Sequence, residues 1–340
     1  MRHVNIPIFI PHLGCPNQCI FCNQRYISGT VCFDELKVKE TIDNIVNQLD
    51  NESECEIAFF GGSFTGLNRN LMIRLLDLAQ SYVDSNKVVG IRMSTRPDYI
   101  SREILDILQN YSITYVELGI QSMNDDVLLH LKRGHTVKDT IVATELLNEY
   151  KIGFVGQMMI GLPSATAGDE IYCAEQICRL GAKGARIYPT LVFKMTDLEK
   201  MTNSGEYIPL SVDEAVERSA AVLNVFVSNG VPCIRIGLCD SDNLHSNDSF
   251  VSGPNEPSIG EMVKSRLYLN MIIAELNKFN GAFELVIINC RKGLMSQIVG
   301  HKRTNIETIK ERFKVKKVIV RENLSQCDVC YKIEVKGENS

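Results

Sequence analysis

Apolar segments with strand character alternate with helical patterns along the first two thirds of this chain. The segments are short and end at polar or Gly/Pro-containing loops, and the stretches between them carry apolar residues at helical spacing. Such alternation predicts an α/β fold with a parallel sheet that is closed or partly closed, a partial (β/α)6 barrel. The predicted strands are Val4–Ile10, Cys55–Phe60, Val88–Met93, Ile113–Leu118, Phe154–Ile160 and Ala185–Pro189, with a last short strand at Pro232–Ile236.

The pattern changes after Gly237. A polar, turn-rich stretch at 240–258 reads as a long loop, and the tail then follows the order strand, helix, tight turn, helix, strand, strand. The sequence therefore predicts a core at 1–240, a loop and connecting helix at 241–278, and a small α+β domain at 279–340.

Charge is distributed unevenly between these parts. The tail from residue 279 carries twelve Lys and Arg against seven Asp and Glu, a net charge of +5, which leaves −10 for residues 1–278. The asymmetry suggests a basic tail that binds a partner, attached to an acidic catalytic body.

The apolar runs are too short to cross a bilayer and the N-terminus does not resemble a signal peptide, so we expect a cytoplasmic protein with no membrane partner.

Three of the twelve cysteines follow the first predicted strand within the segment HLGCPNQCIFCNQR. Cys15, Cys19 and Cys22 form a C-x3-C-x2-C array, and three thiolates in so short a loop can each ligate one iron of an iron–sulfur cube. No fourth ligand follows nearby, which leaves one iron open to a substrate or cofactor. Unrelated thiols or a zinc site are the alternatives, although zinc usually takes four ligands in pairs and Cys32 has no such pairing.

This array, with the aromatic Phe21 before its last cysteine, resembles the radical S-adenosylmethionine (SAM) superfamily. The resemblance implies that Cys15, Cys19 and Cys22 bind a 4Fe-4S cluster whose open iron holds the amino and carboxylate groups of SAM. It also implies reductive cleavage of SAM to methionine and a 5′-deoxyadenosyl radical, with an external electron donor. In such enzymes the cofactor supplies the radical chemistry, and the protein supplies orientation and exclusion of water.

Residues after the next strands extend the resemblance. The segment Gly61–Ser63 resembles the family's glycine-rich motif, whose backbone meets the methionine amino group, and glycine allows that close approach. Gln121 and Arg133 resemble residues that contact SAM in oxygen-independent coproporphyrinogen oxidase-like members, where a guanidinium suits a carboxylate. Ser94 stands where those members carry a glutamate. The resemblance thus implies these cofactor-binding residues: Phe21, Gly61, Gly62, Ser63, Ser94, Gln121 and Arg133.

Residues 1–240 resemble one branch most, the radical domain of the Elongator catalytic subunit, through motifs that include STRPDY, ELGIQSM and KRGHTV. Those proteins modify the wobble uridine of transfer RNA with a radical domain and an acetyltransferase domain. The cysteine spacing here is tighter than is usual there, and we expect no acetyltransferase within these 340 residues. An acetyl-CoA reaction is therefore not carried over to this chain.

The tail resembles a KH-type RNA-binding module. In that fold a G-x-x-G loop between two helices clamps the sugar–phosphate backbone, and here Gly300 is present while Arg303 replaces the second glycine. His301, Lys302 and Arg303 would stand at a helix N-terminus, which favours phosphate. The predicted RNA-binding residues are thus Gly300, His301, Lys302 and Arg303. A lysine-rich face that only keeps the tail soluble is the alternative.

The leading hypothesis is a radical SAM enzyme that modifies an RNA base, with transfer RNA as the expected partner. A second hypothesis keeps the chemistry and makes the substrate a small molecule such as a tetrapyrrole. A third is a non-catalytic iron–sulfur protein that binds RNA. No residue is assigned as a general acid or base.

Overall fold

The computed structural model describes residues 2–15, 19–24, 33–48, 53–238, 249–279, 283–325 and 330–337. They fall into two compact units, Met1–Ser211 with Val225–Asn255 and Val212–Asn224 with Glu256–Ser340. This division differs from the boundary that the sequence suggested near residue 278. The reason is the helix Ile259–Leu276, whose apolar residues Leu269 and Ile272 are buried in the same core as the strands of the tail.

A parallel sheet of seven strands forms the first unit. Its strands pair in the order β1-β2-β3-β4-β5-β6-β8, and neighbouring strands in this sheet follow one another in the chain apart from the short β7. The predicted α/β architecture, a partial barrel of parallel strands, is therefore confirmed. The strands of this unit are β1 (Arg2–Ile10), β2 (Ser53–Gly61), β3 (Gly90–Thr95), β4 (Ile113–Gln121), β5 (Gly153–Ile160), β6 (Gly184–Pro189), β7 (Val192–Phe193), β8 (Cys233–Ile236) and β9 (Phe250–Ser252).

Helices connect these strands, and local sequence signals start several of them. Thr136 and Thr166 each cap a helix and are met by an aspartate three residues later, so both helices begin with a capping box. The described helices up to residue 228 are α1 (Leu36–Val46), α2 (Arg69–Asp84), α3 (Arg102–Leu108), α4 (Asp125–His130), α5 (Val137–Glu149), α6 (Ala167–Arg179), α7 (Asp197–Ser204) and α8 (Val212–Ser228).

The second unit is built on a three-stranded sheet of order β11-β10-β12, in which β10 pairs in parallel with β11 and antiparallel with β12. The predicted order of strand, helix, turn, helix, strand and strand is confirmed. Its core contains Val286, Ile306 and Ile309. Its elements are α9 (Ile259–Leu276), β10 (Leu285–Arg291), α10 (Met295–Val299), α11 (Thr304–Phe313), β11 (Lys317–Leu324) and β12 (Tyr331–Lys336).

Two details of the sequence reading are corrected. The stretch 240–258 is not entirely loop, because Phe250–Ser252 forms strand β9 and pairs antiparallel with β7; residues 239–248 lie outside the described residues. Helix α7 was not predicted, since it is only eight residues long and contains just two apolar residues, Leu198 and Met201. Among the described residues, no helix is both long and apolar enough to cross a membrane.

Candidate active site

The cysteine array lies in the loop after β1, at the carboxyl edge of the sheet, where parallel α/β folds place their functional residues. Cys19 is buried, and its carbonyl accepts a hydrogen bond from the backbone N–H of Cys22 at 3.0 Å. Desolvation of the Cys22 thiol, together with the neighbouring thiols of Cys19 and Cys15, raises its pKa to about 12. The three thiols therefore share one region, and each would have to lose its proton to bind metal.

The described thiols do not form a closed cage around a single ion, since no three His, Cys, Asp or Glu side chains of the described residues converge tightly enough for that. A cube of four irons makes no such demand, because each thiolate ligates a different iron.

The glycine-rich motif packs directly against the cysteine loop. The backbone N–H of Gly62 donates to Ile10 O at 2.8 Å, and that of Ser63 donates to Leu13 O at 3.1 Å. A Cβ at Gly62 would lie 1.9 Å from Leu13 O, and one at Gly14 would lie 2.1 Å from Ser63 O. These glycines allow the backbones of the cysteine loop and the glycine-rich motif to approach each other. From the sequence, glycine was expected here only for a close approach to the cofactor.

Side chains tie the same two loops together. The hydroxyl of Ser63 lies 3.5 Å from the sulfur of Cys15. Gln24 donates from Nε2 to Gly61 O at 2.7 Å, and its backbone N–H donates to His12 Nε2 at 3.2 Å. The backbone N–H of His12 in turn donates to the side-chain oxygen of Gln24. Gln24 was not among the predicted site residues, because a glutamine two positions after a cysteine carries no distinguishing local pattern.

Arg133 and Gln121, which the resemblance implied as SAM contacts, lie together near the end of β4. Arg133 donates from Nη2 to Gly119 O at 2.8 Å and from Nη1 to the sulfur of Cys19 at 3.3 Å. A Cβ at Gly119 would lie 2.5 Å from Arg133 Nη2 and 3.1 Å from Gln121 Nε2, so the glycine makes room for both side chains. Gln121 follows a register shift in β4 and has a φ of 67°, a left-handed conformation that is uncommon outside glycine.

A second buried arginine lies after β3. Arg96 is 2% exposed and donates to both carboxylate oxygens of Asp98, at 2.9 and 2.8 Å. Its guanidinium carbon stands 5.7 Å from the ring centroid of Tyr99. Ser94, the residue found where a glutamate was expected, is half-buried on β3 two positions earlier. Arg96 belongs to the motif STRPDY, but it was not among the predicted site residues.

The histidine two residues after Arg133 is buried against these cations. Burial lowers the pKa of His135, and Arg133 and Arg96 lower it further, to about 3. The imidazole is therefore uncharged near neutral pH and adds no third cation to this edge of the sheet.

Phe21 lies in an apolar setting. It is half-buried and packs against a cluster that includes Ile20, Leu131 and Leu198. The backbone of Ile20 links two helices, because its N–H donates to Leu131 O at 3.2 Å and its carbonyl accepts from Leu198 N at 2.9 Å. The structure thus gives Phe21 a packing role that anchors the segment from Cys19 to Cys22.

A chain of buried charges crosses the sheet below these residues. Arg92 pairs with Glu56 at 2.9 Å and with Glu117 at 3.3 Å, and Arg186 pairs with the same oxygen of Glu117 at 2.7 Å. Gln157 donates to the other oxygen of Glu117 at 2.7 Å. This network was not predicted from the sequence. The signal for it is the presence of charged residues inside otherwise apolar strands.

The turn predicted to bind RNA lies between α10 and α11 in the second unit. His301, Lys302 and Arg303, here called the cationic turn, are all exposed. Lys302 and Arg303 have φ values of 49° and 66°, so the position where a glycine was expected does adopt a left-handed conformation. Gly300 also has a positive φ, and a Cβ there would lie 2.8 Å from Thr304 Oγ1.

Asn305 holds the cationic turn in place from below. It is buried, and its Nδ2 donates to Ser265 O at 3.1 Å and to Ile298 O at 3.2 Å. Beside the turn lies a cavity of about 770 Å³, to which polar and charged side chains contribute together with Val216 and Met262. Its charged lining residues are Asp213, Glu256, Glu261, Arg266, His301 and Lys302.

Family models agree with this architecture. A model of the radical SAM superfamily matches residues 9–172, and one of the radical SAM C-terminal domain matches residues 182–268. An uncharacterized protein of Methanocaldococcus jannaschii is 32% identical over 226 residues, which are 62% of this chain and 68% of the relative. The chain belongs to the radical SAM superfamily. It is therefore a radical SAM enzyme, and the predicted cofactors, a 4Fe-4S cluster and SAM, are those of the family.

Other similar proteins carry names that refer to Elongator or to transfer RNA. Elongator complex protein 3 of Dictyostelium discoideum is 31% identical over 208 residues, 55% of this chain and 37% of that protein. A protein named tRNA uridine(34) acetyltransferase from M. jannaschii is 29% identical over 202 residues, 54% of this chain and 37% of that protein. The chain thus spans little more than a third of the length of these two relatives.

A solved structure shares the radical SAM fold. Elp3 of Methanocaldococcus infernus, without residues 1–46, superposes with a TM-score of 0.61 at 23% identity and covers 81% of this chain and 63% of that one. At this identity the likeness concerns the fold alone.

The residues at the carboxyl edge fit the cofactors of a radical SAM enzyme. The buried polar atoms there that have no hydrogen-bond partner within the described residues include Gln121 Oε1, Arg133 Nε and Arg96 Nη1. Buried polar atoms are normally paired, so these atoms indicate a polar group that binds beside Cys19. One acceptor and two cationic donors suit an ammonium and a carboxylate, the two groups of an amino acid such as the methionyl part of SAM.

Proposed function

We propose that this radical SAM enzyme modifies a base of transfer RNA. The observation that carries the proposal is the cationic turn, which exposes three basic side chains at the N-terminus of the ten-residue helix α11 in the same chain as the cysteine array. A helix N-terminus with exposed cations favours phosphate, and phosphate contacts dominate the affinity of proteins for nucleic acid. The similarity to Elongator complex protein 3 and to a tRNA uridine(34) acetyltransferase supports the same substrate.

In the proposed arrangement, Cys15, Cys19 and Cys22 ligate the cluster. Phe21, Ser94, Gln121, Arg133 and the backbone of Gly61, Gly62 and Ser63 contact SAM. When bound, the cluster would supply the one-electron reduction of the sulfonium of SAM, with an external donor as the source of the electron, and the cleavage would give methionine and a 5′-deoxyadenosyl radical. The chain itself orients these groups and keeps them away from water, which protects a radical from side reactions.

The residues around the cysteine array perform that task through packing. Gln24 fixes the loop to Gly61, while Ile20 and Phe21 bury the segment between Cys19 and Cys22. The unpartnered acceptor Gln121 Oε1 suits the ammonium of an amino acid, and the buried donors of Arg133 and Arg96 suit its carboxylate. The left-handed conformation of Gln121 directs this residue away from the regular path of β4.

In the second unit, Gly300, His301, Lys302 and Arg303 would hold the sugar–phosphate backbone of the RNA. The neighbouring cavity, about 770 Å³, is large enough to accept unstacked bases and offers both donors and acceptors to their edges. The acetyl transfer named for one relative is not part of this proposal.

The test measures release of 5′-deoxyadenosine by the full chain after anaerobic reconstitution, with and without bulk transfer RNA from a source that lacks modifications. Stimulation by RNA is the expected result and would justify mapping the modified nucleotide. The Cys19→Ser variant should lose both iron and cleavage. The matched Cys178→Ser variant changes a half-buried thiol on α6 and should retain both.

Cleavage that proceeds equally with and without RNA would contradict transfer RNA as the substrate. The search would then move to small molecules such as tetrapyrroles. A reconstituted chain that binds RNA but does not cleave SAM would contradict the enzymatic part of the proposal.

A further inference from the structure

A buried guanidinium group donates a hydrogen bond to the thiol of Cys19, and a second one is buried near the cysteine loop. The Arg133 side chain is only 8% exposed and spans two fixed points, with Nη1 donating to Cys19 Sγ at 3.3 Å and Nη2 donating to Gly119 O at 2.8 Å. The thiol and the arginine are separated by 114 residues of sequence. Because a guanidinium is planar and rigid, two such contacts fix both its position and its direction toward the sulfur.

Arg96 is the second guanidinium, and packing fixes its place beside the cysteine loop. Its neighbour Tyr99 lies against Gly66, since a Cβ on that glycine would be 3.2 Å from the tyrosine ring and 2.5 Å from Gly14 O. Burial lowers the pKa of Arg96, but Asp98 and then the thiols of Cys19 and Cys15 outweigh that effect and raise it. Arg96 therefore stays charged, and it is held in place by its ion pair with Asp98.

We propose that Arg133 and Arg96 set the reduction potential of the iron–sulfur cluster, Arg133 through an N–H···S hydrogen bond to Cys19 and Arg96 through its buried charge. The inference rests on the proposed function, since it takes Cys15, Cys19 and Cys22 as the ligands of the cluster. It adds to the carboxylate contact that the resemblance implied, since Nη1 and Nη2 of Arg133 bind the protein while its buried Nε has no partner among the described residues.

The physical reason is the charge of the cluster. A cube held by three thiolates is already negative, and the incoming electron makes it more so. Hydrogen bonds to the sulfurs and nearby positive charge stabilise the reduced state more than the oxidised state, and low local polarity strengthens both effects. The two arginines therefore raise the potential, so that a physiological donor can deliver the electron.

The test is a potentiometric titration of the full reconstituted chain without SAM, followed by electron paramagnetic resonance of the reduced cluster. For Arg133→Gln we expect about a tenfold fall in the equilibrium constant of the one-electron reduction, which corresponds to a potential lower by about 59 mV. Arg96→Gln should shift the potential in the same direction by a smaller amount. Arg133→Lys keeps the charge without the rigid fork and should lie between Arg133→Gln and the wild type.

The matched control is Arg74→Gln, which removes an exposed arginine that pairs with Glu35 on the surface. Its potential should equal that of the wild type. Iron and sulfide content are measured for every variant before titration. If Arg133→Gln does not take up a cluster, Arg133→Lys and Arg96→Gln decide the question.

Variants that load a full cluster and titrate at the wild-type potential would overturn the inference and leave the proposed function standing. The same holds if Arg133→Gln keeps the potential and only weakens binding of SAM. A wild-type chain that takes up no cluster would instead contradict the proposed function, and it would contradict this inference as well.

Discussion

Gly62 and Leu13 lie so close together that a Cβ on the glycine would stand 1.9 Å from the carbonyl oxygen of the leucine. The next residue, Ser63, donates its backbone N–H to that same oxygen at 3.1 Å. The glycine-rich motif after β2 therefore packs against the cysteine loop and holds it in position. This role is independent of any contact that the motif makes with a cofactor. The two motifs that identify the family most clearly are parts of one packed structure.

Substitution of this glycine should accordingly affect the cluster. Gly62→Ala places a methyl group against backbone and should lower the free energy of unfolding by about 1–3 kcal/mol, the usual cost of overpacking. Iron content after reconstitution should fall with it. The control is Gly168→Ala in helix α6, where a Cβ meets only Thr166 Oγ1 at 3.5 Å and should be neutral or stabilising. Equal iron content in Gly62→Ala and the wild type would contradict this account.

The chain of buried charges on the sheet predicts a large effect on stability. Glu117 is fully buried and pairs with both Arg92 and Arg186, so Glu117→Gln leaves two buried cations without their common partner. We expect a loss of roughly 3 kcal/mol in the free energy of unfolding, measured by urea denaturation. The control Glu149→Gln removes an exposed carboxylate that pairs with Arg102 and should change stability little. Similar results for the two variants would argue against a structural role for the network.

His135 predicts a dependence of stability on pH. Its pKa in the folded chain is about 3, below the ordinary value of 6.5, so between these values the unfolded chain binds a proton that the folded chain does not. Stability should therefore be complete above pH 6.5 and decrease as the pH falls toward 3, by up to about 1.4 kcal/mol per pH unit. His135→Asn removes this contribution, so urea denaturation at pH 7 and pH 5 should show a smaller difference for the variant. Identical differences would refute the assignment.

The cationic turn predicts how RNA binding depends on salt. The double variant Lys302→Glu with Arg303→Glu should weaken binding of transfer RNA and reduce the slope of log affinity against log salt by about 2, one unit for each lost phosphate contact. Lys336→Glu makes one such charge reversal on an exposed residue of β12 and should leave the slope nearly unchanged. Fluorescence anisotropy at several salt concentrations measures both. An unchanged slope in the double variant would show that the cationic turn does not contact the phosphates of the RNA.

Local patterns in the sequence carried a large part of the fold and of the site. The alternation of strand and helix predicted the parallel sheet, because the period of apolar residues reports which face of each element is buried. The spacing of Cys15, Cys19 and Cys22 predicted a cluster site because its donors lie within a few residues of one another. Gln121 and Arg133 were expected near that site from the family resemblance and not from a local pattern, and they lie at and after the end of β4, at the edge where the carboxyl ends of parallel strands meet.

Tertiary structure alone decided which groups touch. The contact of Arg133 with Cys19 bridges 114 residues, and no local pattern encodes a partner at that distance. The backbone contact between Gly62 and Leu13, the hydrogen bonds from Gln24 to Gly61 and the register shift before Gln121 likewise arise only when separate loops and strands pack together. Sequence thus determined the chemical groups and the edge of the sheet that bears them. Packing determined their orientation, because hydrogen bonds and buried charges depend on distances that are set only in the folded chain.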